Sequence, residues 1–205
     1  MAALLEEAGL LLPRGGLRPK TYLAYFSLLA ATGLRLSEGC RLERGDVDLV
    51  EGVLTVRETK FRKSRLVPLH PTATQALARY AVDRDAYRIS SRSRSFFCTE
   101  RAPALTPAAV ERTFRQLRQR LGWTAQGRAR LPCIHGLRHT FAVRRLLRFS
   151  EDGVDVERKI LALATYLGHA NVAHTYWYLT AVPELMAITA QRFERFARHQ
   201  QEGES

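Results

Sequence analysis

The chain has 205 residues, 46% hydrophobic and 25% charged, which supplies enough apolar surface for a core and argues against wholesale disorder. Its 32 lysines and arginines outweigh 20 acids, for a net charge of +12 and a pI near 10.3, so the surface should gather polyanions. Cys40, Cys98 and Cys133 are odd in number and lack paired spacing, so no disulfide framework or zinc ligand set is readable there, which suits a reducing cytoplasm.

The N-terminal stretch "MAALLEEAGLLLPRGG" carries acids where a secretion signal needs positive charge. Its apolar run is also too short for a bilayer, so a soluble, cytoplasmic protein is expected. The first long periodic segment is "RPKTYLAYFSLLAATG", which puts Tyr22, Tyr25, Phe26, Leu29 and Ala30 on one helical stripe. Gly33 is its stop signal. A short helix follows through "LSEGCRL". The period then changes: "DVDLVEGVLTVRETKFRKSRLVPLH" alternates, with Glu51-Gly52 as a tight turn and "TKFRKS" as a polar, basic one. Three short antiparallel strands are predicted, the last ending at Pro68. Helices are predicted over 72–88, 106–121 (Thr106 as cap, Pro107 at the first position), 135–149, 154–167, about 171–178 and 182–199. No linker or repeat divides the chain, so residues 1–205 read as one α+β domain, mainly α, with a small sheet on a helical body.

Four stretches carry residues suited to chemistry. In "IHGLRHTFAVRRLL", His135 and Arg138 are three apart and share a helix face. His139 lies four from His135, but the residue after His135 is Gly136, so the glutamate of a zinc-hydrolase helix is missing. In "AATGLRLSEGCRL", Arg35 sits between a helix-ending glycine and a new helix, with Glu38 placed to brace it. In "ETKFRKSRLVPL", Lys60 opens a turn that also holds Lys63, while Arg65 follows; the last two read as solvated groups or phosphate contacts. In "ATYLGHANVAHTYWYL", Gly168 can end a helix at His169, and Asn171 can cap the helix bearing Tyr176 and Tyr178. Positions two apart on a helix face opposite ways, so the two phenols cannot share a role.

Taken in order, "ATGLRLSE", "TK…SRLVPLH", "HGLRHTFA" and "LGHANVAHTYWYL" resemble the boxes of the tyrosine recombinase (phage integrase) catalytic domain, from about residue 17 to 185. The resemblance implies a helical catalytic domain with a three-stranded antiparallel sheet. It implies a site of Arg35, Lys60, His135, Arg138, His169 and Tyr178, the nucleophile falling nine residues after His169, and leaves Tyr176 structural. It also implies DNA cleavage and rejoining through a 3′-phosphotyrosyl ester, with no cofactor or metal. Double-stranded DNA would be the partner, touched by Lys63 and Arg65, with no membrane or small-molecule substrate. A C-terminal helix at 182–200 would link a homo-tetramer on DNA, and the protein would be nucleoid-associated when bound. Family members normally carry a separate N-terminal core-binding domain; this chain reaches its first box by residue 31, so that domain is expected to be absent. A binding-only relative and a strand-relaxing topoisomerase of similar site are the rival readings.

Overall fold

In the computed structural model the described residues are 1–57, 64–87, 93–125, 131–154, 156–169, 171 and 173–180, backbone only at 156–158, 176–177 and 179–180. They belong to two compact units, Met1–Arg138 and one that begins at His139.

The first unit is organised by helix α2 (Leu17–Thr32). Its stripe falls as the periodicity requires: Tyr22, Tyr25, Phe26 and Leu29 are buried, and Ala30 is half-buried. The Arg18 N–H donates to both carboxylate oxygens of Glu100 at 3.1 Å, so a distant acid satisfies an orphan amide at the positive end of the helix dipole. Gly33 ends the helix with φ at 65° and donates its N–H to Leu29 O at 2.9 Å. Two helices pack against α2: α1 (Ala2–Gly9), which the periodicity does not announce, and α4 (Pro71–Asp85). Phe97 completes the core, edge-on to Tyr25 at 5.1 Å and stacked on Tyr80 at 5.3 Å. Burial pushes the Tyr80 phenol up to about 12.

Helix α3 (Leu36–Arg41) follows the glycine stop. The sheet then forms in the predicted antiparallel order: β1 (Val47–Asp48), β2 (Val53–Val56) and β3 (Arg65–Pro68). Leu54 pairs with Val67, and Leu54, Val56 and Val67 are the buried positions. The first turn uses Gly52 at φ 65°, and Asp48 Oδ1 accepts from the N–H groups of Val50 and Glu51 at 2.9 Å. Residues 58–63 of the second turn lie outside the described residues.

Helix α4 stops at Asp85, short of the expected 88, because the Tyr87 N–H closes a turn on Arg84 O at 3.0 Å. Helix α5 (Pro107–Arg120) starts as its sequence directs, with Thr106 Oγ1 accepting from the Ala109 N–H at 3.2 Å. Helix α6 (His135–Glu151) carries its first turn in the first unit and the rest in the second.

The second unit packs α6 from His139 onward with α7 (Val156–Leu167) and α8 (Ala173–Thr180). Its core is Phe141, Ala142, Leu146, Ile160, Leu163, Leu167 and Tyr178. Gly168, at φ 70°, stops α7, and the His169 N–H reaches back to Ala164 O at 2.9 Å. Asn171 Oδ1 accepts from the Ala173 N–H at 2.9 Å and so starts α8 two residues later than expected. The predicted helix at 182–199 lies outside the described residues. Among the described residues no helix is long and apolar enough to cross a membrane.

Candidate active site

The first unit brings three of the expected site residues to one concavity. Arg35, His135 and Arg138 line a groove of about 550 Å³, floored by Leu34, Phe114 and Ile134. Arg35 stands at the N-cap of α3, and its extended backbone breaks the chain between two helices. Glu38 braces it twice: Oε2 accepts from the Arg35 N–H at 2.9 Å and Oε1 from Nη1 at 2.8 Å. The Arg35 side chain remains 35% exposed, so a firmly held cation still faces solvent. His135 is exposed on the first turn of α6. Arg138, one turn on, is only 3% exposed and donates from Nη1 to Gly33 O at 2.7 Å, across 105 positions of chain.

Arg65 departs from its expected place. It does not stand on a solvated turn: its side chain is 11% exposed, and Nη1 and Nη2 donate to the two oxygens of Glu38 at 3.0 and 2.9 Å. The reason lies in the sheet, since β3 begins at Arg65 and directs it toward α3. Glu38 therefore receives two guanidinium groups. Burial pushes its carboxyl up, but the hydrogen bonds from Arg65 and from the Arg35 amide win, and it sits near 2. Lys60 and Lys63 lie outside the described residues.

The groove also holds Arg115 and Arg118 from α5, with Glu111 as its acid. Arg118 Nη1 donates to Pro132 O at 3.0 Å, which tethers the segment leading into His135. The spacing of "RTFRQLRQR" puts these two arginines three apart on one face, a local signal, but only the fold shows which cavity that face lines. Four arginines around a concave, partly apolar surface focus a positive field suited to an anion. The imidazole of His135 adds ring nitrogens that can hydrogen-bond to the same anion.

The second unit gathers the other two expected residues. Tyr178 is 5% exposed and packs among the apolar side chains of α6 and α7. Its ring neighbours two imidazoles, 5.2 Å from His139 and 6.2 Å from His169, the latter nearly parallel at 21°. His169 is half-buried, and its Nδ1 is 2.7 Å from Thr175 Oγ1. His139 was legible only as a rejected metal ligand; its place beside Tyr178 needs the tertiary packing of α6 on α8. The side chains of Tyr176 and Trp177 lie outside those described.

Comparison with known proteins identifies the family. The profile of the phage integrase family matches residues 14–184. A Sinorhizobium fredii protein, y4rE, which carries the name integrase/recombinase, is 42% identical over 192 residues, covering 94% of this chain and 61% of that protein. The tyrosine recombinase XerC of Chlorobaculum parvum is 36% identical over 160 residues, covering 76% of this chain and 44% of XerC. The crystal structure of XerA recombinase superposes with a TM-score of 0.69 at 28% identity, over 94% of this chain and 62% of that one. The Tn1549 transposon integrase, solved in complex with transposon right end DNA, shares the fold at a TM-score of 0.67 and 20% identity, over 96% and 63% of the two chains. The chain thus spans between 44% and 61% of the length of these curated relatives. Its mainly helical fold with a three-stranded antiparallel sheet, its ordered motifs and a profile match over most of its length make the chain a member of the phage integrase family.

Proposed function

We propose that this chain cleaves and rejoins double-stranded DNA as the catalytic part of a site-specific tyrosine recombinase, with Tyr178 as nucleophile. The observation that carries the reading is the groove in which Arg35, His135 and Arg138 meet although α3 and α6 lie far apart in the chain. A phosphodiester under attack gathers charge on its two non-bridging oxygens, and two planar guanidinium groups are the donors that match it. Each donor of this kind typically contributes about 3–4 kcal/mol to a transition state.

The proton balance assigns the remaining roles. A phenol of ordinary pKa is roughly one part in a thousand ionised at pH 7, a handicap of about 4 kcal/mol. His135 takes the phenol proton as the Tyr178 oxygen bonds to phosphorus. The bond to the 5′-oxygen breaks, and Lys60 delivers a proton to that leaving group. His169 donates a hydrogen bond to the phosphate. The products are a 3′-phosphotyrosyl ester and a free 5′-hydroxyl. Attack by a 5′-hydroxyl from a second duplex runs the same steps in reverse and joins new partners, so the ester retains the energy of the broken bond. Lys63, Arg115 and Arg118 would hold flanking phosphates. The segment 182–200 would dock on a neighbouring copy in a tetramer on DNA, and the chain would work on the nucleoid in the cytoplasm.

The deciding experiment traps the intermediate. A nicked suicide duplex lets the cleaved end diffuse away, so the covalent adduct survives denaturation. An adduct formed by the unmodified chain and by Tyr176→Phe, but not by Tyr178→Phe, supports the assignment. Tight DNA binding with no adduct would overturn it in favour of a protein that only occupies recombination sites.

A further inference from the structure

Four helical threonines among the described residues place their hydroxyls within reach of the carbonyl four residues earlier: Thr21 at 2.9 Å from Leu17 O (and 2.7 Å from Cys98 O), Thr32 at 2.7 Å from Leu28 O, Thr74 at 3.4 Å from His70 O and Thr165 at 3.0 Å from Leu161 O. Thr175 does not. It is fully buried, and among the described residues its Oγ1 has one partner, His169 Nδ1, at 2.7 Å.

We propose that Thr175 is a positioning residue that fixes the tautomer of His169, keeping the ring proton on Nε2. A hydroxyl has one proton to donate, and a buried proton needs an acceptor. If Nδ1 carried the ring hydrogen, that N–H would donate to Oγ1 and the hydroxyl's own proton would be left without a partner. The satisfied arrangement is the reverse: Oγ1–H donates to Nδ1, and Nε2 keeps the hydrogen. The same contact discourages a second proton on the ring, since an imidazolium would have to displace the hydroxyl donor from Nδ1.

The contact also sets where the ring lies. Thr175 and Tyr178 are one turn apart on α8 and share a face, and the His169 ring stacks on that of Tyr178 at 6.2 Å. The backbone of His169 is tied at its other side to the end of α7 through Ala164 O. One turn of α8 therefore carries the candidate nucleophile and the group that orients its neighbouring imidazole. The consequence for catalysis rests on the reading that His169 donates to the phosphate: with the proton on Nε2 it presents an N–H, while the other tautomer would present a lone pair to an oxyanion.

The test is two-bond proton–nitrogen correlation NMR on the full, uniformly labelled chain without DNA, with the His169 signals assigned from their loss in His169→Gln. The expected result is an Nε2–H tautomer in the unmodified chain and in Thr175→Ser, and a mixture in Thr175→Val. Single-turnover cleavage of the suicide duplex should fall by about 10- to 100-fold in Thr175→Val, recover in Thr175→Ser, and leave DNA affinity unchanged. A ring proton found on Nδ1 in the unmodified chain overturns the proposal. So does a tautomer that Thr175→Val leaves unaltered, or one that shifts with no change in cleavage rate. If Thr175→Val fails to fold, the spectra of the unmodified chain and Thr175→Ser decide it. An adduct that survives Tyr178→Phe would sink the catalytic reading while leaving the tautomer assignment standing.

Discussion

The guanidinium of Arg65 spans both carboxylate oxygens of Glu38, at 3.0 and 2.9 Å, while one of those oxygens also receives Arg35 at 2.8 Å. A strand and the arginine before α3 are thereby joined through one buried acid. Removing its charge takes a counter-charge from two cations, one of them largely buried.

The first prediction concerns that acid. A carboxyl near 2 in the fold and near an ordinary 4.5 in the unfolded chain contributes about 3 kcal/mol. Because the folded value is the lower one, this stability is fully present above pH 4.5 and is lost as pH falls through that window toward 2. Urea unfolding of the unmodified chain should show this acid limb. Glu38→Gln should be about 3 kcal/mol less stable at pH 7 and nearly flat across the same window; an equally steep limb in the variant would remove the assignment.

The second prediction separates chemistry from binding. Arg35→Ala and Arg138→Ala should each slow adduct formation by about 10²- to 10³-fold at saturating DNA, while affinity changes only a few-fold. Near-normal rates in both variants would dismiss the phosphate clamp.

The third distinguishes two arginines on one helix. Arg115→Ala should weaken DNA binding and lower the slope of log affinity against log salt by about 1, with the cleavage rate at saturation unchanged. Arg118→Ala should do the same and also slow cleavage, because it releases the Pro132 carbonyl beside His135. Identical behaviour of the two variants would contradict the tether.

The fourth uses the thiols. Cys40 and Cys98 are buried, and burial pushes both thiols up, while Cys133 is exposed on the wall of the groove. A thiol reagent should titrate one cysteine in the folded chain and three in denaturant. A bulky maleimide on Cys133 should block DNA binding, and DNA should protect that thiol. Equal labelling with and without DNA would argue against the groove as the contact surface.

What the chain announces locally, the fold delivers. Gly33 ends α2, Thr106 caps α5, alternation marks β2 and β3, and Gly168 leaves His169 at a helix end. These features depend on near neighbours, where periodicity and capping chemistry act. The missed features join distant segments: Glu100 at the start of α2, Arg65 on Glu38, Arg115 and Arg118 in the groove, and His139 beside Tyr178. Arg65 shows why. The three residues before it, "RKS", are polar and basic, so local composition suggests solvent, and only strand pairing to β2 turns it inward against an acid from a helix.

A main-chain oxygen, that of Gly33, moors Arg138 just two residues ahead of Arg35. The gap between the two cations is thus inherited from a helix terminus and is not left to flexible side chains. Arginine suits the double duty proposed for Arg138, because its fork holds five N–H groups and Nη1 serves the mooring. A lysine at the same place, a lone point of charge, would have to choose between gripping a substrate and keeping station.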